Sequence, residues 1–544
     1  MATGRHWVDQ VVGHVLAGWG DVDEAVCNAG LSVSGLQHVG RLRGEITITN
    51  VIRMELERLG KKSRHNLVLY TQDPWKGKET QLKQFKDPEE ARNYIGWRLI
   101  DVPDPKGCHG NWFEHYWEDF GNHLEDFAHD VQTCTTTALY KEPGMRAVVK
   151  ELIEKDESVR RVLNKYRGRK PYPEGWVPIE PLCPSCRRLG KATAVAVDLN
   201  HYTVDFTCKC GYGGRSGIEE GKPLWRLEWA ALWKALKVCF EPYGKDLATK
   251  GGSRDSAVEI AETILGIRAP VGLPYEWVGY VAAGKDLGDM GSSDFVGFTP
   301  KDWLKVAEPE ALRYHYLVHD NMKRLTLSLD QVYHYIDLYD RAERIYYGIE
   351  KPKMDDDQLQ SLKRSYALAQ LKPLPVETPF QLGFLHAVVL VQALPNEGRT
   401  REAARRLRAT GLLKPEPTEE DLARVERRLS HAADWLENYA PETFKVKLLM
   451  ELPIEVPNAL TPRQKALIKV LQEELSSIPW IEEEVKNAMK QVTEAQCQSR
   501  EEQVSFFEAL YMLFFGQPKG PRIAPYLSMF EREWVVKRLR EAVA

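Results

Sequence analysis

Between residues 26 and 70 the sequence reads strand, glycine turn, helix, strand, and that order constrains the fold class more tightly than any other feature. Val26 to Ala29 reads as a buried strand that enters the turn Gly30-Leu-Ser-Val-Ser-Gly35. His38-Val-Gly-Arg41 follows. Ile46 to Leu59 then carries Ile48, Val51, Ile52, Leu56 and Leu59 on a helical period, stops at Gly60, and gives way to the strand-like Asn66 to Tyr70. Such an alternation is half of a doubly wound, Rossmann-type parallel sheet, whose ligands bind beyond the carboxyl ends of the strands. Trp7, Val8, Val11, Val12, Val15 and Leu16 predict an edge helix ahead of it. Backbone N–H groups at a helix head attract phosphate, so His38 and Gly40 are candidates for contact with a nucleotide.

At 544 residues the chain exceeds what one hydrophobic core serves, which excludes a small binding module. The α/β pattern resumes at Val238-Cys-Phe240, Gly244-Lys-Asp246, the helix Asp255 to Leu265 and Tyr275 to Tyr280, so the sheet is completed late. This divides the chain into residues 1–75, a first half of the nucleotide-binding fold; 76–224, an insertion; 225–325, the second half; and 326–544, where nearly every segment reads as an amphipathic helix. Lys+Arg 74 against Asp+Glu 78 gives a net charge of -4, so a nucleic acid must be held by local basic patches. No stretch of 18 apolar residues is present, and His6, Asp9, Gln10 and His14 interrupt the N-terminal segment; a cytoplasmic protein without a membrane partner is expected.

Nine cysteines, five of them in two tight clusters, favour metal over disulfides. Asp104, Cys108, His109 and His115 are four zinc-type ligands within twelve positions. Cys183-Pro-Ser-Cys186 and Cys208-Lys-Cys210 flank strand-like segments in the layout of a zinc ribbon. Structural zinc is expected at both, since neither pattern shows the open position of a catalytic ion.

His38-Val-Gly-Arg41 looks like the HIGH signature of class I aminoacyl-tRNA synthetases, and the chain resembles the class I (archaeal-type) lysyl-tRNA synthetases almost end to end. The likeness is carried by His6-Trp-Val-Asp9, Val102-Pro-Asp-Pro105 with Gly107-Cys-His109, Trp225-Arg-Leu-Glu-Trp229, Phe240-Glu-Pro-Tyr-Gly-Lys-Asp246 and Tyr275-Glu-Trp277. It continues through Arg341-Ala-Glu-Arg-Ile-Tyr-Tyr-Gly348 to Gly516-Gln-Pro-Lys-Gly-Pro-Arg522. The resemblance implies a class I synthetase catalytic domain with a zinc-binding insertion and an all-α C-terminal anticodon-binding domain. It implies activation of lysine by ATP with Mg2+, then transfer of lysine to the 3′ end of the lysine tRNA, with Zn2+ in both clusters. It places His38, Gly40, Arg41, Lys285, Ser292 and Ser293 at the catalytic positions, and Gly30, Ser32, Trp225 and Tyr275 around the lysine substrate.

Three positions depart from that family's pattern. Leu247 replaces a pocket histidine, Thr71-Gln-Asp-Pro-Trp75 replaces an acidic stretch, and the KMSKS-like segment Asp289-Met-Gly-Ser-Ser-Asp294 carries carboxylates where lysines are usual. An anion in place of a cation beside a polyphosphate exchanges attraction for repulsion. A ligase with a displaced cation and a paralogue that keeps tRNA binding but has lost or altered adenylation both remain open. A pure RNA-binding scaffold would need only basic patches such as Arg399 to Arg408, or Lys519 with Arg522.

Overall fold

The computed structural model describes residues 6–168, 170–445, 448–449, 451–520 and 523–544. Five strands, β1 (Ala25–Leu31), β2 (Ser63–Leu69), β3 (Val131–Thr135), β4 (Val238–Gly244) and β5 (Val271–Tyr275), form one sheet in the order β3-β2-β1-β4-β5. Every neighbouring pair is parallel. β1 is central, and six of its seven residues are buried, as expected of a parallel strand covered on both faces. The strand order reverses between β1 and β4, which marks the switch point where such sheets take ligands.

The helix after the glycine turn starts earlier than its apolar period indicates. Leu42–Ile48 winds as a π-helix, fully buried, before Thr49–Arg58 continues as an ordinary α-helix. Thr49 closes the wide turn, its hydroxyl donating to the Gly44 carbonyl at 3.0 Å. Such π segments recur at functional sites because they re-aim side chains.

β3 lies inside the span 76–224 that the sequence assigns to the insertion. It pairs His65 with Val131 through Leu69 with Thr135 at the sheet edge. Its sequence, Val-Gln-Thr-Cys-Thr, is half exposed, so it lacks the apolar signature of its neighbours. Within the same span, Ala192–Asp198, Thr203–Cys208 and Gly213–Gly217 form a three-stranded antiparallel ribbon. After β5, Val278–Ala282 and Lys285–Asp289 form an antiparallel hairpin, and Val278–Ala282 also pairs parallel with Leu325–Leu327.

The chain separates into two compact units: residues 1–304, 308–327 and 351–374, and residues 305–307, 328–350 and 375–544. The helical boundary expected at 326 is therefore crossed by Asp356–Ala369, which belongs to the first unit. Polar contacts with distant parts of that unit explain why. Ser365 Oγ lies 3.0 Å from His6 Nε2, Arg364 pairs with Asp9 at 2.8 Å and with Glu55, and buried Arg313 donates to the Ala369 carbonyl at 2.9 Å.

All described elements of the second unit are helices. Trp435 is fully buried between Phe384 and Phe444, and buried Arg428 pairs with Asp340 at 2.8 Å. Phe384–Ala393 escapes a reading by amphipathicity because Phe-Leu-His-Ala-Val-Val-Leu-Val-Gln-Ala is apolar nearly all round. No helix among the described residues is long and apolar enough to cross a membrane.

Candidate active site

The site is built where β1 ends. His38 follows the turn, is buried, and its Nδ1 has no hydrogen-bond partner among the described residues. Burial, reinforced by the Arg41 guanidinium, holds the His38 imidazole down to about 3, so it is neutral at physiological pH. A Cβ on Gly40 would stand 2.8 Å from His38 Nδ1; the glycine thus makes room for the histidine ring itself. Tyr316 donates to the Val39 carbonyl at 2.9 Å and fixes the turn from the other side. Arg41 does not point freely outward: it pairs with Glu45 at 2.9 Å.

Of the four residues assigned to the amino-acid pocket, Gly30 and Trp225 are brought together through a residue that the sequence did not single out. A Cβ on Gly30 would lie 2.5 Å from the ring of Tyr70, and Tyr70 meets Trp225 edge-on at 5.3 Å. Trp225 stacks on Trp229 at 5.4 Å. The Tyr70 hydroxyl is buried without a partner among the described residues, as is Oδ1 of Asn28 on β1. Asn28 Nδ2 is held by Glu241 on β4 at 3.1 Å. Buried polar atoms are normally paired, so the unpaired Tyr70 hydroxyl, one residue beyond the end of β2, marks a place that suits a polar ligand. Ser32 is half-buried just beyond the end of β1.

Tyr275 lies at the end of β5. Its hydroxyl donates to Glu45 at 2.9 Å, so Glu45 is shared by Tyr275 and Arg41. A Cβ on Gly44 would stand 2.2 Å from the Tyr275 ring, which explains a glycine inside a buried helical segment.

The segment after the hairpin packs on the His38 turn. A Cβ on Gly35 would meet the Ser292 carbonyl at 2.4 Å, a Cβ on Gly297 would meet His38 Cβ at 2.9 Å, and Val39 N–H donates to the Phe298 carbonyl at 2.9 Å. Ser292 is buried, its Oγ without a partner among the described residues, and Ser293 accepts from Thr80 through its carbonyl at 2.6 Å. Lys285 is not brought to this place. It pairs with Ala282 at the exposed hairpin tip, four residues or ~13 Å of strand from Asp289. Both anomalous carboxylates carry cations. Asp289 is held by Arg324 at 2.8 Å, and Asp294 by Lys78 at 2.8 Å.

The two ligand sets converge. Asp104, Cys108, His109 and His115 offer atoms within 4.8 Å of one another, with Cys108 Sγ 3.1 Å from His109 Nδ1 and His115 Nδ1 3.1 Å from an Asp104 oxygen. Cys183 and Cys210 stand 3.7 Å apart, as do Cys186 and Cys208. Four sulfurs ~2.3 Å from a tetrahedral zinc ion are spaced at ~3.8 Å.

The family described as tRNA synthetases class I (K) matches residues 5–372. The chain belongs to this family. A lysine–tRNA ligase from Aeropyrum pernix is 42% identical over 544 residues, covering 99% of this chain and 98% of that protein. One from Pyrococcus horikoshii is 31% identical, covering 98% and 99%, and one from Methanosphaera stadtmanae 30%, covering the same shares. These matches bear out the resemblance read from the sequence.

In this class I synthetase the other two departures also have local explanations. Asp73, in the stretch Thr71 to Trp75, pairs with buried Lys222 at 2.7 Å, while Thr71 meets the Thr137 hydroxyl at 2.8 Å and Trp75 lies in the core. That stretch braces β2 against Lys222, which in turn pairs with Glu228 at 2.8 Å. Leu247 packs into the same hydrophobic cluster as Trp225 and Tyr243. Tyr70, Lys78 and Arg324 were not legible as site residues, because each gains its place only through a contact with a residue far away in sequence.

Proposed function

We propose that this chain is a lysine–tRNA ligase, which activates lysine with ATP to lysyl-adenylate and transfers it to the 3′ end of the lysine tRNA. The reading is carried by the end-to-end match to the Aeropyrum pernix lysine–tRNA ligase. The carboxylate of lysine attacks the α-phosphorus of ATP and pyrophosphate leaves; a terminal hydroxyl of the tRNA then attacks the acyl carbonyl and AMP leaves. In such steps the protein contributes positioning and charge neutralisation.

His38, neutral because it is buried, serves as a hydrogen-bond donor to a phosphate oxygen and not as a cation. Gly40 keeps its ring in place. Arg41 acts through Glu45, which orients the Tyr275 hydroxyl. Gly30, Ser32, Tyr70 and Trp225 receive the lysine side chain, for which aromatic faces and hydroxyl oxygens are suitable partners. Ser292 and Ser293 close the phosphate end of the site. Magnesium, when bound with ATP, screens the charge of the leaving pyrophosphate.

Zinc suits both ligand sets by donor chemistry and spacing, with Asp104, Cys108, His109 and His115 holding one ion and Cys183, Cys186, Cys208 and Cys210 the other. Both sets are complete in protein ligands, so the ions brace structure.

The second unit is assigned to tRNA. It contains a cavity of about 860 Å3 whose walls include Phe507, Tyr511, Arg500 and Lys519, offering rings for unstacked bases and cations for the backbone. In the Arg399–Ala409 helix, Arg405 and Arg406 are engaged by Glu402, while Arg401 and Arg408 are exposed. Arg522 lies outside the described residues.

The test is lysine-dependent ATP–pyrophosphate exchange measured in the presence of lysine tRNA, together with tRNA binding. Exchange supports the ligase. Binding without exchange supports the paralogue with lost adenylation, which Asp289 and Asp294 would otherwise suggest.

A further inference from the structure

Two cations of the motif set around the His38 turn are already committed. Arg41 is tied to Glu45 at 2.9 Å, and Lys245 to Glu276 at 2.6 Å. Lys78 and Arg324 lie beside the Asp289–Asp294 segment, where Lys78 pairs with exposed Asp294, and Arg324 with half-buried Asp289 and exposed Asp286. We propose that Lys78 and Arg324 are the cations that contact the ATP phosphates in this chain, carried on the walls of the site in place of the lysines that the segment lacks. The proposal rests on the ligase reading for the identity of the nucleotide.

Two independent features bring these side chains to the site. Lys78 caps the short helix Glu79–Leu82, which is fastened to both halves of the site: Thr80 donates to the Ser293 carbonyl at 2.6 Å and buried Gln81 to the Ser34 carbonyl at 2.7 Å. Its ammonium lies 2.8 and 2.9 Å from the two Asp294 oxygens, beside the Gly35–Ser292 contact. Arg324 precedes the strand Leu325–Leu327 and reaches across Gly279 to Asp289 at 2.8 Å and Asp286 at 3.3 Å. A Cβ on Gly279 would lie 2.4 Å from the Arg324 guanidinium, so the backbone is shaped to let it pass.

The energetics favour exchange of partners. The side chains of Lys78 and Asp294 are 41% and 51% exposed, and ion pairs that wet contribute little. A triphosphate offers more negative charge than one carboxylate, and charged hydrogen bonds to it are stronger than neutral ones. Lysine's four-carbon stem allows its ammonium to change acceptor while its backbone stays fixed. The carboxylates thus hold the cations in place until ATP arrives.

The experiment compares K78M, K78R, R324M and D294N as full-length, zinc-replete protein, with thermal melts to confirm folding. ATP affinity is measured by calorimetry, and KM for ATP and for lysine by tRNA-dependent exchange. Expected for K78M and R324M is ATP affinity about tenfold weaker or more, at unchanged lysine KM. K78R restores most of the loss. D294N, which frees Lys78, binds ATP more tightly than wild type. Unchanged ATP affinity in K78M and R324M overturns the proposal, as does a loss in D294N equal to that in K78M, which would make the pair a latch only. Calorimetry separates the two readings. Wild-type protein that binds ATP without exchange refutes the ligase while K78M still reports on the cation, and protein that binds no ATP refutes both.

Discussion

Phe295 stands edge-on to Tyr116, ring centroids 5.5 Å apart, and Tyr116 in turn lies 4.7 Å from the ring of His115. The residue that ends the Ser292–Asp294 turn is thereby packed on the helix Trp112–Asn122, which carries one ligand of the Asp104 cluster. Phe295 holds a left-handed backbone conformation, φ 57°, that this packing helps to maintain.

Removing zinc from that cluster should therefore loosen the active-site segment. C108S is expected to lower ATP affinity and to change the fluorescence of buried Trp112, whose ring also meets Phe295. C208S, in the ribbon cluster, is expected to lose one zinc by metal analysis without the ATP effect. Equal effects of the two variants on ATP would contradict this coupling.

Tyr70 and Gly30 define a second test. Y70F removes a buried hydroxyl that has no protein partner among the described residues, so stability should change little while KM for lysine rises several-fold. G30A drives a methyl group into the Tyr70 ring and should weaken lysine more strongly. G44A, which collides with Tyr275 away from Tyr70, should instead destabilise the fold by ~1–3 kcal/mol, read as a lower midpoint in urea.

Acid should destabilise the protein through its buried histidines. Burial holds His6 down to about 4, and His38, His65 and His315 down to about 3. Unfolded, each binds a proton near 6.5; folded, each stays neutral until far lower pH. Their contribution is complete above pH 6.5 and falls as pH drops, by ~1.4 kcal/mol per unit for each group. Urea unfolding at pH 7.5 and 5.5 should show lower stability at 5.5. Equal or greater stability there would contradict neutral burial.

The cavity in the second unit gives a fourth. F507A and Y511A should weaken tRNA binding by ~1–3 kcal/mol for each base that loses its platform, without changing ATP affinity. Filter binding at fixed salt measures the first and calorimetry the second. Unaltered tRNA affinity in both variants would remove this cavity from the tRNA path.

The parallel sheet was legible because β1 is a short, mostly apolar strand feeding a glycine turn, and both ligand clusters because their members are close in sequence. β3 was not, since an edge strand with Gln132 and two threonines has no apolar period. The helix Asp356–Ala369 was read correctly as a helix but placed with the wrong body, because Ser365, Arg364 and the Ala369 carbonyl find partners more than 50 positions away. For the same reason the charges at Asp289 and Asp294 suggested repulsion of phosphate. Their neutralising partners, Arg324 and Lys78, are 35 and 216 positions distant.

Charging decides whether this chain ligates lysine to tRNA. Zinc-replete, full-length protein is incubated with lysine, ATP, magnesium and lysine tRNA, and lysyl-tRNA is quantified by acid precipitation. Lysine-specific charging that depends on ATP is the predicted result; tRNA that is bound yet remains uncharged would contradict it.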